Sequence, residues 1–244
     1  MNSSIKYYHT TDLHNTGAAS KVLPYLFDIV KPASIIDIGC GTGSWLNVAK
    51  SLGVKEIIGV DGIRLDNTML RIENSEFVQQ DLSQLFNLDR KFDLALCLEV
   101  AEHLPKNCDE SLVDSITSHS DIVLFSAAIP GQGGQHHVNE QYPQYWKEKF
   151  DRRGYQAYDI LREVFWNDLE VNWWYSQNMV VYAKVSKSYL FQVDNVKFVR
   201  TLVHPELFKS KVYLADTLTN VVQEYVNKPR LVPSLRLVFK SLFN

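Results

Sequence analysis

"SIIDIGCGTG", residues 34–43, decides how this chain is read. Its first half is a continuous apolar run rich in β-branched residues, the pattern of a parallel strand buried on both faces. Its second half places Gly39, Gly41 and Gly43 where the strand gives way to the helical spacing of "SWLNVAKSLG". Glycine is needed where backbone turns sharply and approaches a ligand closely. The dinucleotide fingerprint G-x-G-x-x-G asks for a third glycine at position 44, and Ser44 stands there, which counts against NAD. The next strand ends in "GVDG", where Asp61 can accept both hydroxyls of a ribose.

The same alternation continues outward. "EIIGVD" reads as a second strand, "EFVQQDL" as a weaker third, "FDLALCL" as a fourth and "DIVLFSAAIP" as a fifth. "YQAYDILREVF" and "NMVVYAKV" complete the set. Helical spacing appears in "NTGAASKVLPYLFDIVKP", which ends at Pro32, in "SWLNVAKSLG", stopped by Gly53, in "SLVDSITSHS" and in "EQYPQYWKEKFDRRGY". Strands alternating with helices predict a doubly wound α/β fold whose parallel sheet is covered on both faces. Residues 1–185 are expected to form one domain, with a lid and helix over about 1–31. Residues 186–244 are expected to form a C-terminal helical extension.

Composition narrows the class. The chain has 244 residues, 45% hydrophobic and 22% charged, enough for a sizeable core. A net charge of −3 argues against a surface that coats DNA or RNA, though an RNA end in a pocket is compatible with it. Cys40, Cys97 and Cys108 form no Cys-x-x-Cys pair and read as buried reduced thiols. No signal-peptide core and no run of transmembrane length is present, so a cytoplasmic protein is expected. The tail "NKPRLVPSLRLVFKSLFN" carries Lys228, Arg230, Arg236 and Lys240 and no acid. Such an amphipathic end can rest on the inner face of an anionic membrane, dock on a partner, or pack on its own domain.

"IIDIGCGTG", "GVD", "QQDL" and "FDLALCLEVAEHL", in this order and spacing, resemble the class I S-adenosylmethionine-dependent methyltransferases over roughly residues 34–130. The resemblance implies a seven-stranded, mostly parallel sheet with its last strand antiparallel. It also implies roles by position. Asp37 orients the amino end of S-adenosylmethionine, and Gly39, Cys40 and Gly41 pass under its methionine portion. Asp61 holds the ribose with Gly62 beside it. Asp81 and the Leu82 amide meet the adenine, and Leu98 or Glu99 flanks the sulfonium. Read alone, Asp61 is equally a helix cap and Asp81 a turn residue.

"CLEVAEHLP", Cys97–Pro105, sets Glu99, Glu102 and His103 at offsets i, i+3 and i+4, one face of a helical turn if they lie on one. Three readings compete. The carboxylates favour the positive end of a helix; or His103 is a general base oriented by an acidic neighbour; or Glu99, Glu102 and His103 ligate a divalent ion such as Mg²⁺ or Mn²⁺. A further ligand is on hand in "PGQGGQHHVNE", a glycine-rich loop delivering His136 and His137 to the carboxyl edge of the sheet. Glu-x-x-Glu-His followed by a later His is similar to the small-RNA 2′-O-methyltransferases and the ubiquinone-pathway O-methyltransferases. By position His137, close to an Asn-Glu pair, matches the later ligand. The text around it departs from the RNA enzymes.

The remaining motifs concern the acceptor. Trp166, Trp173, Trp174 and Tyr175 stand near Asp168 and Asn172, a mixture suited to the C–H faces of a sugar or an aromatic acceptor, or to packing at a sheet edge. The same region looks like methyltransferases of bacterial surface-polysaccharide and natural-product synthesis. Tyr142, Tyr145 and Trp146 have core spacing, and Tyr8 and His14 are candidate lid residues. The expectation is an O-methyltransferase acting on a saccharide hydroxyl in cell-surface glycan or glycoside synthesis, through Glu102, His103 and His137. The alternatives are an RNA 3′-terminal ribose, a quinone or lipid acceptor, and a non-catalytic cofactor-binding subunit.

Overall fold

The computed structural model describes residues 16–63 and 68–227, with side chains of the last helix to 224. Seven strands form one sheet in the order β3-β2-β1-β4-β5-β7-β6. They are β1 (Ser34–Ile38), β2 (Glu56–Asp61), β3 (Phe77–Gln79), β4 (Leu94–Leu98), β5 (Ile122–Ser126), β6 (Tyr155–Tyr158) and β7 (Val180–Lys184). Strands β3, β2, β1, β4 and β5 pair in parallel. The last strand, β7, runs antiparallel to both β5 and β6. This is the sheet that the four ordered motifs imply.

The apolar runs explain the layering. Along the central strands successive side chains enter two different cores. Ile35, Leu94, Leu96 and Leu124 pack with Leu23 and Leu26 of α1 (Gly17–Val30) and Leu46 of α2 (Ser44–Ser51). Ile36, Ile38, Ala95, Val123 and Phe125 pack with Leu112 and Ile116 of α3 (Asp109–His119) and with Trp146 and Phe150 of α4 (Pro143–Asp151). Every residue of β4 and β5 is buried, so neither strand has a polar face to offer water. The thiols of Cys40, Cys97 and Cys108 are free and buried.

Several local expectations change. "ILREVF" is no strand: β6 ends at Tyr158, and Arg162–Phe165 form the short helix α5. Arg162, at the start of that helix, is buried and bonded to the Asp159 carboxylate and to the Arg200 carbonyl at 2.7 Å. Tyr142 is not core. It precedes the first turn of α4 and is 57% exposed, whereas Trp146 is buried. Tyr145 is half-buried and donates to Asp109. The first compact unit ends at Leu202 rather than near 185. Residues beyond 185 still pack on the sheet: Val196 bridges Ala157, and the Val199 amide donates to Gln144 at 3.1 Å. The second unit, from Val203, carries the helix α7 (Pro205–Asn227). The remaining short helix is α6 (Trp173–Asn178). Among the described residues no helix is long and apolar enough to cross a membrane. Tyr8, His14 and the basic tail from Lys228 lie outside the described residues.

β1 stands between β2 and β4, so the winding reverses beside it, and the crevice at its carboxyl end is where such folds take ligands. The corner there is a backbone requirement. Gly39 has φ +86°, and a Cβ added to it would lie 2.2 Å from Cγ2 of Val100. Gly39→Ala is expected to cost about 1–3 kcal/mol from the left-handed conformation and the overlap together. At about 2–4 °C per kcal/mol, calorimetry should show a clear fall in melting temperature. Adding Val100→Ala removes the overlap but not the φ penalty, so recovery should be partial; an unchanged melting temperature in the single variant would refute the account.

Candidate functional site

The carboxyl edge of the sheet opens into one cavity of about 560 Å³. One wall is the glycine corner: Asp37, Gly39, Cys40, Gly41 and Trp45, with Asp61, Gly62, Asp81 and Leu82 beyond. The facing wall is Leu98, Glu99, Glu102 and His103 with the loop from Gln132 to His137. Trp173, Trp174 and Tyr175 of α6 also line it, whereas Trp166, Asp168 and Asn172 do not. Asp168 instead caps a local turn, accepting the Glu170 amide at 2.9 Å. All nine residues expected for the cofactor line this one space.

Asp61 shapes the cofactor wall. Its carboxylate accepts the Gly41 amide at 2.9 Å and the Ile63 amide at 2.9 Å, so it ties the end of β2 to the glycine corner. Asp37 is buried, and burial with the nearby Asp61 charge pushes its carboxyl up to about 8. Asp81 accepts the Ser83 amide at 2.9 Å and the Ser83 hydroxyl at 2.7 Å, so the turn role is real; it also lines the cavity.

The acidic cluster differs from a single helical face. Only Ala101–His103 form a helical turn, a 3₁₀ turn. Glu99 lies before it with φ +53°, an uncommon backbone state for a residue with a side chain. Its amide donates to the Ser126 carbonyl at 3.0 Å, and its carboxylate receives Asn178 Nδ2 at 3.1 Å and Gln132 Nε2 at 3.2 Å. Gln177 Nε2 and Asn178 Nδ2 both bond Gln132 Oε1 at 3.0 Å, closing a carboxamide clasp around Glu99. Burial raises the Glu99 carboxyl, and these donors partly offset the rise.

Glu102 is in the opposite situation. It is 0% exposed, and neither carboxylate oxygen has a hydrogen bond of normal geometry. Burial, with the Glu99 charge adding to it, holds its carboxyl well above the usual range. Glu102, His103 and His137 each bring a ligand atom within 4.8 Å of the others. Glu99 is not in this group, and neither is His136, whose backbone has φ +58°. The His103 and His137 rings meet edge to face at 5.0 Å between centroids. Burial and the neighbouring His137 lower His103 to about 4, so its ring is neutral near pH 7 and keeps a lone pair.

One carboxyl oxygen and two imidazole nitrogens that converge, the carboxyl buried and the rings partly so, fit a divalent ion. Neither Glu102 oxygen has a hydrogen bond of normal geometry, and a cation held there would favour the carboxylate that burial disfavours. Sequence reading missed the carboxamides. Gln132, Gln177 and Asn178 come from two distant segments, and nothing in their local text marks them as partners of Glu99.

The family model described as "Methyltransferase domain" matches residues 12–159. A ribosomal protein L11 methyltransferase of Fusobacterium nucleatum is 30% identical over 105 residues, which are 39% of this chain and 33% of that protein. The chain thus spans about a third of the length of that curated relative. DesVI of Streptomyces venezuelae superposes with a TM-score of 0.54 at 14% identity, over 70% of this chain and 92% of that one. CalS10 of Micromonospora echinaspora, an amino pentose methyltransferase, superposes with a TM-score of 0.54 at 14% identity, over 75% of this chain and all of its own. These likenesses share the fold, and the family match extends over more than half of the sequence. The chain belongs to the class I S-adenosylmethionine-dependent methyltransferases.

Proposed function

We propose that this chain is an O-methyltransferase that carries the methyl group of S-adenosylmethionine to a saccharide hydroxyl, at a site that holds a divalent ion. The observation that carries the reading is the buried carboxyl of Glu102 grouped with His103 and His137 across the cavity from the glycine corner. Methyl transfer from a sulfonium needs alignment and exclusion of water. A hydroxyl must in addition lose its proton to a base, in the cavity or in water, and a divalent ion held here would ease that loss by polarising the oxygen. Glu102, His103 and His137 would hold the ion, with Mg²⁺ or Mn²⁺ as candidates.

The cofactor half of the proposal follows the wall just described. Gly39, Cys40 and Gly41 let the methionine portion lie against backbone, and Asp37 faces its ammonium. Asp61, with Gly62 beside it, accepts the ribose hydroxyls, and Asp81 with Leu82 meets the adenine. Leu98 packs at the sulfonium side. Glu99, expected with Glu102 and His103 as a metal ligand, is better read as an oriented wall, because its oxygens already receive carboxamide donors.

The acceptor class rests on the lining. Among the described residues no Lys or Arg lines the cavity, while Asp37, Asp61, Asp81, Glu99 and Glu102 do. That favours a neutral polyol over an RNA end, whose phosphates need cations. Trp173 and Trp174 stand edge to face at 5.5 Å and offer apolar faces to C–H groups. CalS10 and DesVI carry the same fold, and CalS10 methylates an amino pentose by its description. We place the reaction in glycan or glycoside synthesis in the cytoplasm, without assigning the tail a membrane role.

EDTA should abolish turnover of a saccharide acceptor, and Mn²⁺ or Mg²⁺ should restore it, with S-adenosylmethionine affinity unchanged throughout. Glu102→Gln and His137→Ala should lower kcat/KM by at least about 100-fold, ~2.7 kcal/mol of transition-state stabilisation. Turnover indifferent to EDTA would remove the ion from the proposal.

The raised Glu102 carboxyl sets the pH dependence. The ion needs the carboxylate, so protons compete with it, and Mn²⁺ affinity should rise with pH until Glu102 has ionised. His103, lowered to about 4, adds no proton competition above that. Affinity flat from pH 5 to 8 by titration calorimetry would contradict this. On the cofactor wall, Asp61→Ala should weaken S-adenosylmethionine about 10- to 100-fold, since it removes ribose acceptors and frees two loop amides. An unaltered binding isotherm would take Asp61 out of the site.

A further inference from the structure

The loop that delivers His137 is organised around one carboxylate. Glu140 Oε2 accepts the Gly131 amide at 2.7 Å, and its Oε1 accepts the Gly133 amide at 2.6 Å. The same Oε1 lies 2.9 Å from His137 Nδ1. Both side chains are largely shielded, with 11% of His137 and 18% of Glu140 exposed. A carboxylate is acceptor-only, so His137 must carry its proton on Nδ1 to make this bond. Nε2 is then the nitrogen with the free lone pair, and the one available to the group with Glu102 and His103.

Gly134 leaves the room that the His137 ring occupies. A Cβ on Gly134 would stand 2.2 Å from His137 Nε2 and 2.6 Å from Cε1, so the ring occupies space that any other residue there would claim. The downstream backbone fixes the height of the loop over the acidic turn. The Val138 and Asn139 amides both donate to the Glu102 carbonyl, at 2.8 and 3.1 Å. Asn139 Nδ2 continues to the buried Asp109 at 2.7 Å, which also accepts the Tyr145 hydroxyl.

We propose that Glu140 is a positioning residue of this site: its carboxylate fixes the ring orientation and the Nδ1–H tautomer of His137, and folds the glycine-rich loop that carries it. The inference deepens the metal reading but does not need it, since a His137 acting as a plain base would require the same nitrogen. Glu140 touches neither the proposed ion nor the acceptor.

The test uses the full chain, ¹⁵N-labelled at histidine, at pH 8 without added metal. Long-range ¹H–¹⁵N spectra should show His137 protonated at Nδ1 in the wild type. Glu140→Ala should shift the ring toward the Nε2–H form, and Glu140→Gln, which keeps an acceptor oxygen, should restore Nδ1–H at least in part. Gly134→Ala, a second variant that leaves Glu140 intact, should move the His137 ring signals. Mn²⁺ titration then reads the consequence: Glu140→Ala should bind Mn²⁺ about 10- to 100-fold more weakly, with S-adenosylmethionine affinity within about twofold of wild type. An Nε2–H tautomer in the wild type, or one unmoved by Glu140→Ala, overturns the inference. So does an equal loss of cofactor and metal binding, which would make Glu140 a general support. A wild type that shows the Nδ1–H tautomer and its loss in Glu140→Ala, yet binds no Mn²⁺, overturns the metal reading and leaves the positioning role standing.

Discussion

Parallel pairing forces the carboxyl ends of β1, β2, β4 and β5 onto one edge, and the rest of the site depends on that constraint. The central strands are buried on both faces, so polar chemistry is confined to their carboxyl ends, at Asp37 and Asp61, and to the residues just beyond. Gly39 follows β1, Asp61 ends β2, Glu99 follows β4 and Ala127 follows β5. Two of these corners bend through positive φ, at Gly39 and at Glu99. At Gly39 the bend needs no side chain, and Val100 occupies the space a side chain would take. At Glu99 the bend has a side chain and is held by bonds from three segments, which offset the local cost.

The legible part of this design was the part written locally. β1, β4 and β5 are apolar runs that no amphipathic helix would tolerate, and the glycines after β1 mark a corner without reference to anything distant. The illegible part was long-range. Whether Glu99 joined the metal-type group could not be read from an offset of three residues, because the answer lies in Asn178, 79 positions away. Spacing treats Glu99, Glu102 and His103 as neighbours on a turn. The backbone places the turn only from Ala101, and Glu99, before it, receives Asn178 and Gln132. Tyr142 failed for a related reason: Pro143 opens α4, so the residue before it is outside the helix and outside its apolar face.

Glu99 and Glu102 show how surroundings, more than residue type, assign chemistry. Both are acidic, both are buried, and both are raised above the ordinary carboxylate range. Glu99 has its desolvation partly compensated by carboxamide donors, which favours a fixed orientation. Glu102 is raised well above that range by burial, with the Glu99 charge adding to it. Burial favours its neutral form, and a cation held there would favour the carboxylate instead.

The same logic bears on selectivity for the acceptor. The clasp that fixes Glu99 ends on Asn178, the last residue of α6, and α6 also presents Trp173, Trp174 and Tyr175 to the cavity. Tyr175 in turn packs edge to face on Trp45 of α2 at 5.3 Å, beside the glycine corner. The aromatic wall is therefore linked at both ends, to the acidic corner after β4 and to the helix that follows the glycine loop. Under the proposed function, a wall held at both ends favours selection of the acceptor by fit. Trp174 also packs on Tyr175, so it belongs to the link as well as to the lining, whereas Asn178 joins the wall to Glu99.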